Sequence, residues 1–480
     1  MIQRKQLSLA DIFTDCHEKL ENDKYRFLTL LENAINLDKI VPASFIHHFR
    51  ARTGRPRKYQ LYAMLWALIL QRIFSIPTDS LLIIFLKYSK ELRDFCGFDK
   101  VPDASKFTRF KQDFLQDLQL MFDNFVDLTE PICQQISSEL ADMTIFDTSG
   151  IEAFVTENNS KFRNKMANQS KSISKIDPTF DASGGAYALF PKAAISNPAV
   201  KFQYINGYFC YAYKFGIITN GLGIVRHISL YNKEFLRNHP EVIVGKKSNS
   251  PTEDKSLGDA KALIPTLADF FKTHPLFNPK TFLGDAAFDS IENYRALFHD
   301  FKFEKALIPL KTKLALPDSD CPLNEHGIPC CPRDNSLTMR RESSKTHLRC
   351  GLPTMKFVCP KMKYVTVKGK SKRRTFCENP CTNSVCGRMF YIYPEKNLRA
   401  YPGVLRGSDE WETAYKLRVV VEKSINHFKY SFCIGNRKTQ NEKTIHADLL
   451  LAGITQLLSV VVADKIHKHQ FIRSLKPLVA

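Results

Sequence analysis

The spacing of apolar and polar positions changes character along the chain. Up to about residue 130, apolar residues recur at helical intervals in four stretches: Phe27 to Leu37, Tyr59 to Phe74, Thr78 to Phe95 and Ala104 to Val126. Each is bounded by Pro, Gly or Asp, and no strand alternation interrupts them. From residue 142 the segment MTIFDTSGIEAFV has the β-branched and aromatic content of a strand. Asn158 to Lys201 is polar, rich in Ser, Lys, Asn and Gly, and reads as a long loop. In GYFCYAYKFGIITNGLGIVRHISLYN two apolar runs flank Asn220-Gly221, which predicts a hairpin because both turn residues tolerate positive φ. Ser250-Pro251-Thr252-Glu253 supplies a cap, a first-turn proline and a Glu three residues on, opening a helix to about Lys272. KTFLGD then predicts a strand ending at Asp285, Asp289 and Glu292 a second capping pair opening SIENYRALFHDF, and EKALIPL a further strand. Helices are expected from about Asp409 to Tyr430 and from His446 to Ile466. The apolar run Leu449 to Ala463 inside the last holds Thr455, Gln456 and Ser459 and is shorter than the roughly 20 residues that span a bilayer, so it predicts a buried core helix.

Strand, hairpin, helix, strand, helix, strand, insertion, helix is the order of a mixed α/β sheet covered by helices. At 480 residues the chain is too long for one ordinary core. The pattern divides it into a helical segment 1–135, an α/β core from 136–310 and 406–470, and an insertion at 311–405. Apolar residues at 44% exclude a wholly disordered chain. Lys plus Arg number 69 against 49 Asp plus Glu, a formal +20, which favours a polyanionic partner and makes nucleic acid the first candidate. The N-terminus MIQRKQLSLADIF lacks the apolar core of a secretory signal, so a cytoplasmic location is expected.

Charge and cysteine are both unevenly placed. Between Lys39 and Pro77 there are seven basic residues and no acid: Lys39, Arg50, Arg52, Arg55, Arg57, Lys58 and Arg72. That stretch is a candidate phosphate-contacting arm, or else a solvated linker. Eight of the 13 cysteines, Cys321, Cys330, Cys331, Cys350, Cys359, Cys377, Cys381 and Cys386, fall within the insertion. In a chain this long without a secretory signal, such clustering points to reduced thiols or metal ligands rather than disulfides. Cys377 and Cys381 form a knuckle, and Cys331-Pro332 and Cys359-Pro360 sit at expected turns, so these four make one candidate Zn²⁺ site. Cys321, Cys330, Cys350 and Cys386, with His326 and His347, offer an alternative or a second one. From Ser344 to Cys377 there are ten Lys or Arg and no acid, Arg373 and Arg374 among them, which predicts a polyanion contact.

Phosphodiester chemistry with two Mg²⁺ ions requires carboxylates that converge from separate elements. Asp147 ends the strand TIFD, Asp285 ends TFLGD, and Glu422 lies in the late helix. Nearby, Asp142, Asp289 and Glu152 are weaker candidates, since Asp142 precedes the strand and Asp289 suits a helix cap. Around Glu422 the sequence YKLRVVVEKSINHFKY places Tyr415, Arg418, Glu422 and Lys429 within a stripe of roughly 60° on a regular helix. One carboxylate flanked by an Arg, a Lys and a Tyr makes a metal ligand among phosphate-binding groups, or, more plainly, a surface stripe with an ion pair four residues apart.

The spacing Tyr-x2-Arg-x3-Glu-x6-Lys is similar to the signature of bacterial insertion-sequence DDE transposases. FDTSGIEA around Asp147 and LGDAAFDS around Asp285 resemble the first and second acid boxes of that family, and the segment from Gln60 to Phe114 resembles its helical N-terminal domain. The element order likewise resembles an RNase H-like core. The resemblance spans about residues 45 to 465. It implies a DNA-binding helical domain, Mg²⁺ (or Mn²⁺) held by Asp147, Asp285 and Glu422, and DNA phosphates met by Tyr415, Arg418 and Lys429. It further implies cleavage at the ends of an insertion sequence followed by strand transfer, double-stranded DNA as partner, a homodimer at synapsis and a nucleoid-associated protein without a membrane partner. Cys331, Cys359, Cys377 and Cys381 match the cysteines of a zinc-ribbon-like insertion found in some members. Phe288 stands where an aromatic is common in the family, for a displaced base or for the core. A transposase-derived DNA-binding protein without catalysis, and a metal-dependent nuclease of the same fold, remain alternatives.

Overall fold

In the computed structural model the described residues are Ser8, Ala10, 23–50, 57–181, 187–205, 207–244, 257–311, 321–346, 353–367, 369–393, 398–400, 402–436 and 438–479. The predicted cap at Ser250 to Glu253, Arg52, Arg55, His347 and Cys350 lie outside them. The principal helices ahead of the sheet are α1 (Asp23–Ala34), α2 (Leu61–Ile73), α3 (Asp79–Tyr88), α4 (Lys90–Cys96), α5 (Ala104–Asp113) and α6 (Leu115–Ile136). Then follow β1 (Met143–Glu152), α7 (Ser160–Ile176), β2 (Lys201–Ile205), β3 (Tyr208–Thr219), β4 (Val225–Leu230), α8 (Asp259–Thr273), β5 (Thr281–Leu283), α9 (Ile291–Arg295) and β6 (Lys305–Leu307). The insertion carries β7 (Cys330–Cys331), β8 (Asp334–Thr338), β9 (Arg340–Thr346), β10 (Pro353–Val358), β11 (Met362–Val367), β12 (Lys370–Thr375) and β13 (Met389–Ile392). The chain returns through α10 (Asp409–Tyr415), α11 (Val419–Asn426) and α12 (Glu442–Lys465). The result is a mixed α/β protein whose main sheet runs β2-β3-β1-β5-β6, with β4 also on β3.

Two compact units emerge, one of residues 1–141, 148–256 and 423–480, the other of 142–147 and 257–422. The first is built on α12, which is apolar on every face and therefore sits inside. By length and composition it is apolar enough to cross a membrane, but 89% of its most apolar window is buried within the protein. Gly453 lets it approach α6 closely, since a Cβ there would lie 2.5 Å from the Phe122 ring. Several of its polar side chains are matched: Gln456 accepts from Val225 N at 2.9 Å and donates to Gly223 O at 3.1 Å. Asp448 accepts from Arg72 of α2 and pairs with Lys111 of α5 at 3.0 Å, while Lys111 reaches Asp79 of α3 at 2.9 Å. Arg72, counted from sequence in the basic stretch, is thus buried structure and not a phosphate contact.

Several boundaries depart from the pattern. The stretch 158–201 is not one loop: α7 occupies 17 of its residues. The predicted hairpin is present, with Phe215 opposite Leu230 and Ile217 opposite Ile228, but a longer loop replaces a two-residue turn. Asn220 caps that loop by accepting from Ile224 N at 3.0 Å, and the left-handed residue is Gly223, φ 80°. Gly221 is needed for close approach, because a Cβ would lie 2.9 Å from Leu140 O.

In the second unit the start of β1 pairs in parallel with β5, Ile145 opposite Leu283, and β5 with β6, Leu283 opposite Leu307. The insertion forms a β13-β10-β9 sheet and the hairpins β7–β8 and β11–β12. Its own small core gathers Cys321, Met339, Met355, Phe357 and Ile392. Asp289 does not cap a helix as its spacing suggests; Ser290 does, accepting from Asn293 N at 3.2 Å. Asp289 is instead fully buried, accepting from Arg399 at 2.9 and 2.6 Å and from Lys311 N at 2.8 Å, so it ties both ends of the insertion to the loop after β5.

Candidate active site

Parallel pairing of β1 with β5, Ile145 opposite Leu283, sends both segments out of the paired stretch at the same end. Asp147 follows this paired stretch on β1. Asp285 lies just beyond β5 and accepts from Ala287 N at 2.9 Å, so its carboxylate is fixed by the turn it caps. The late helical segment supplies a cation between Asp147 and Glu422. Arg418 Nη2 lies 3.0 Å from Asp147 Oδ2 and Nη1 lies 2.7 Å from Glu422 Oε1. Arg418 is buried, and its Nε has no hydrogen-bond partner among the described residues.

The electrostatics place Asp285 and Tyr415 in the same field. Burial tends to lower the Arg418 pKa, but Asp147, Glu422 and Asp285 outweigh it and leave the guanidinium above its usual value. Asp285 is shifted up, chiefly by burial, with Asp259 and Glu422 adding to the shift and Ala287 N and Arg418 opposing it. Tyr415 is raised by burial first, then by Asp285, Glu422 and Asp147 against Arg418. The acids therefore share one guanidinium and one partly desolvated setting.

The helix that carries this stripe is not regular. A 3₁₀ turn at Lys416–Arg418 precedes α11, and a π-turn at His427–Ser431 follows it. Regular spacing of 100° per residue therefore fails between Tyr415 and Lys429, and such interruptions often mark functional segments. Lys429 Nζ is bonded to Ser149 Oγ at 2.7 Å, within the first unit, and Ser149 stands two positions after Asp147 on β1. Sequence reasoning missed Ser149, a small hydroxyl with no distinguishing spacing.

The weaker acids have other work. Asp142 lies 3.8 Å from Lys280, and Glu152 accepts from the Tyr208 hydroxyl at 2.7 Å. Phe288 is fully buried with its ring 5.2 Å from that of Phe146, so it serves the core and not a displaced base.

Within the insertion Arg373 is held at home: Nε donates to the Tyr364 hydroxyl at 2.9 Å and Nη2 lies 2.9 Å from Glu342. Glu342, two residues outside the acid-free stretch, also pairs with Lys356 at 2.6 Å. Arg374, Lys361, Lys363, Lys370 and Lys372 are exposed around the β11–β12 hairpin. Cys331 and Cys359 are buried, and Cys377 and Cys381 partly so. The Cys381 thiol is pushed up by burial, by a hydrogen bond with Cys331 and by the nearby Cys359. Cys377 Sγ instead contacts Asn379 O at 3.4 Å.

Among the described residues, no three His, Cys, Asp or Glu side chains stand close enough to enclose a metal ion. Mg²⁺ does not need such a cage, because it binds through one or two carboxylates, waters and substrate phosphates. The hard oxygen donors of Asp147, Asp285 and Glu422 fit it in kind.

Comparison with known proteins adds one family match. Residues 15–113 match the family model of a transposase domain (DUF772). That match takes in α1 to α5, ends on the last residue of α5 and leaves α6 outside. No curated protein matches the chain. Among solved structures, a cryo-EM structure of the piggyBac transposase synaptic complex with hairpin DNA is similar at 11% identity, covering 92% of this chain and 75% of that one, with a TM-score of 0.36.

Proposed function

We propose that this chain is a DDE transposase of the insertion-sequence type, with an RNase H-like core, which binds the ends of its element and carries out Mg²⁺-dependent DNA cleavage and strand transfer. The observation that carries this reading is the single guanidinium of Arg418 between Asp147 and Glu422, in the field of Asp285, on a chain whose N-terminal region matches a transposase domain.

Asp147, Asp285 and Glu422 would hold Mg²⁺ or Mn²⁺, and the ion would supply charge for an attacking hydroxyl and the scissile phosphate. Arg418 keeps Asp147 and Glu422 from repelling one another. Tyr415 is a neutral hydroxyl at physiological pH, and burial moves its pKa further up, so it can donate to a phosphate without adding negative charge. Lys429, through Ser149, steadies the strand that carries Asp147. The helical N-terminal region and the exposed cations of the β11–β12 hairpin, Arg374 included, would meet duplex DNA. Cys331, Cys359, Cys377 and Cys381 would hold a structural Zn²⁺ only by drawing closer together, since Cys381 contacts Cys331 but no three of the four stand close enough to enclose an ion. A homodimer at synapsis and a cytoplasmic, nucleoid-associated location complete the proposal.

The test uses DNA carrying the inverted repeats that flank the coding sequence, incubated with the protein and Mg²⁺. The expected products are nicks at the element boundary with free 3′-hydroxyls, followed by joining to a target. Cleavage that persists in Asp147→Asn, Asp285→Asn and Glu422→Gln alike would overturn the assignment. Cutting without joining would instead favour the nuclease alternative.

A further inference from the structure

β2 is the outer strand of the main sheet, and its face is aromatic instead of being blunted by charge. The rings form a continuous series from core to solvent. Buried Tyr211 lies 5.0 Å from Phe202, and Phe202 stacks on Phe190 at 4.8 Å with an interplanar angle of 2°. Phe202 also stacks on Phe209 at 5.6 Å, and Phe209 meets Tyr187 at 4.7 Å and Tyr204 at 5.1 Å. The outermost rings are open to solvent: Tyr204 is 65% exposed and Tyr187 49%. Rings anchored this way are rigid at the base and free at the face.

Beside them runs α7, SKFRNKMANQSKSISKI, with five basic residues and no acid. Phe162 of α7 packs on Phe190 at 6.0 Å, and the Arg163 guanidinium lies over the Tyr208 ring at 5.8 Å, so the basic helix and the aromatic face adjoin. Lys161, Lys165, Lys171 and Lys175 are exposed. Exposed rings next to a row of cations match unpaired nucleic acid, whose bases stack on any aromatic face while its phosphates seek positive charge. Paired bases in a duplex offer no such faces.

We propose that the β2–β3 aromatic face and α7 together bind single-stranded DNA, with bases stacked on Tyr204 and Tyr187 and phosphates along the lysines of α7. Binding at this face does not depend on the three carboxylates.

The test measures fluorescence anisotropy of full-length protein, without divalent metal, on labelled oligothymidine of about 12 nucleotides and on a duplex of equal length. Tyr204→Ala and Tyr187→Ala should each weaken single-strand binding about tenfold and leave duplex binding within about twofold. Tyr204→Phe should keep the wild-type affinity. Lys165→Gln and Lys171→Gln should weaken both ligands and reduce the salt dependence by about one phosphate contact each. Equal loss on duplex and single strand, or no loss on either, overturns the proposal. So does self-association of the wild type that Tyr204→Ala abolishes, since the face would then join two copies of the chain. None of these outcomes touches the cleavage test, which turns on the three carboxylates.

Discussion

Replacing Arg418 by Gln removes the guanidinium that Asp147 and Glu422 share. Its side chain is 10% exposed and Asp147 is 17% exposed, with 3.0 Å between them. At an effective dielectric near 20 that separation gives roughly 5 kcal/mol of gross attraction, from which desolvation must be subtracted. Loss of one partner from a buried pair typically costs about 3–5 kcal/mol. The Glu422 contact adds little, because that side chain is 54% exposed and an exposed pair four residues apart is worth about 0.5 kcal/mol. The expected cost of Arg418→Gln in metal-free protein is therefore about 3 kcal/mol, concentrated in the pair with Asp147. Urea unfolding in EDTA, run as two double-mutant cycles with Asp147→Asn and Glu422→Gln, separates the terms. The expected coupling is about 2 kcal/mol for Asp147 and under about 0.5 kcal/mol for Glu422. Coupling to Glu422 as large as that to Asp147, or a total cost under about 1 kcal/mol, would refute the reasoning.

Three further outcomes follow from the same geometry. Burial raises the pKa of Asp285, so its contribution to stability is present below the unfolded value, about 3.9, and is lost as pH rises through the folded one. Thermal melting in EDTA should then show Asp285→Asn stabilised relative to wild type at about pH 8 and unchanged near pH 3; equal melting temperatures throughout would contradict it. Asp448→Ala takes the carboxylate from buried Arg72 and leaves Lys111 with Asp79 alone, and should cost about 3–5 kcal/mol in urea unfolding, whereas a cost below about 1 kcal/mol would mean the three groups are not a buried network. Gly453→Ala gains about 1 kcal/mol of helix propensity but drives its Cβ to 2.5 Å from the Phe122 ring, so net destabilisation of about 1–2 kcal/mol is expected. Adding Phe122→Leu should recover most of that loss, and net stabilisation by Gly453→Ala alone would contradict the close packing.

What the sequence exposed and what it hid have distinct causes. The core helix α12 was legible because it is apolar all round, and the hairpin because Asn220-Gly221 sits between two apolar runs. α7 was hidden because it buries little more than Met166 and Ser170, which leaves its polar composition looking like a loop. The single long helix expected from Asp409 to Tyr430 is broken by a 3₁₀ turn and a π-turn, which periodicity cannot register. Asp147, Asp285 and Arg418 were each suspected from local motifs, and their convergence depends on the β1–β5 pairing across 138 positions. Arg72 and Asp289 were misassigned for a related reason. Their partners, Asp448 and Arg399, lie 376 and 110 residues away, beyond any local rule for charge runs or caps.

The central claim, that Asp147, Asp285 and Glu422 act together on DNA phosphodiesters, is tested most directly by strand joining. A pre-cleaved element end with a free 3′-hydroxyl is incubated with supercoiled plasmid and Mg²⁺, using wild type and the three carboxamide variants matched for folding by melting temperature. Wild type is expected to give covalently joined product, and each variant to lose about a thousandfold or more in rate. Joining at wild-type rate by all three variants would contradict the claim.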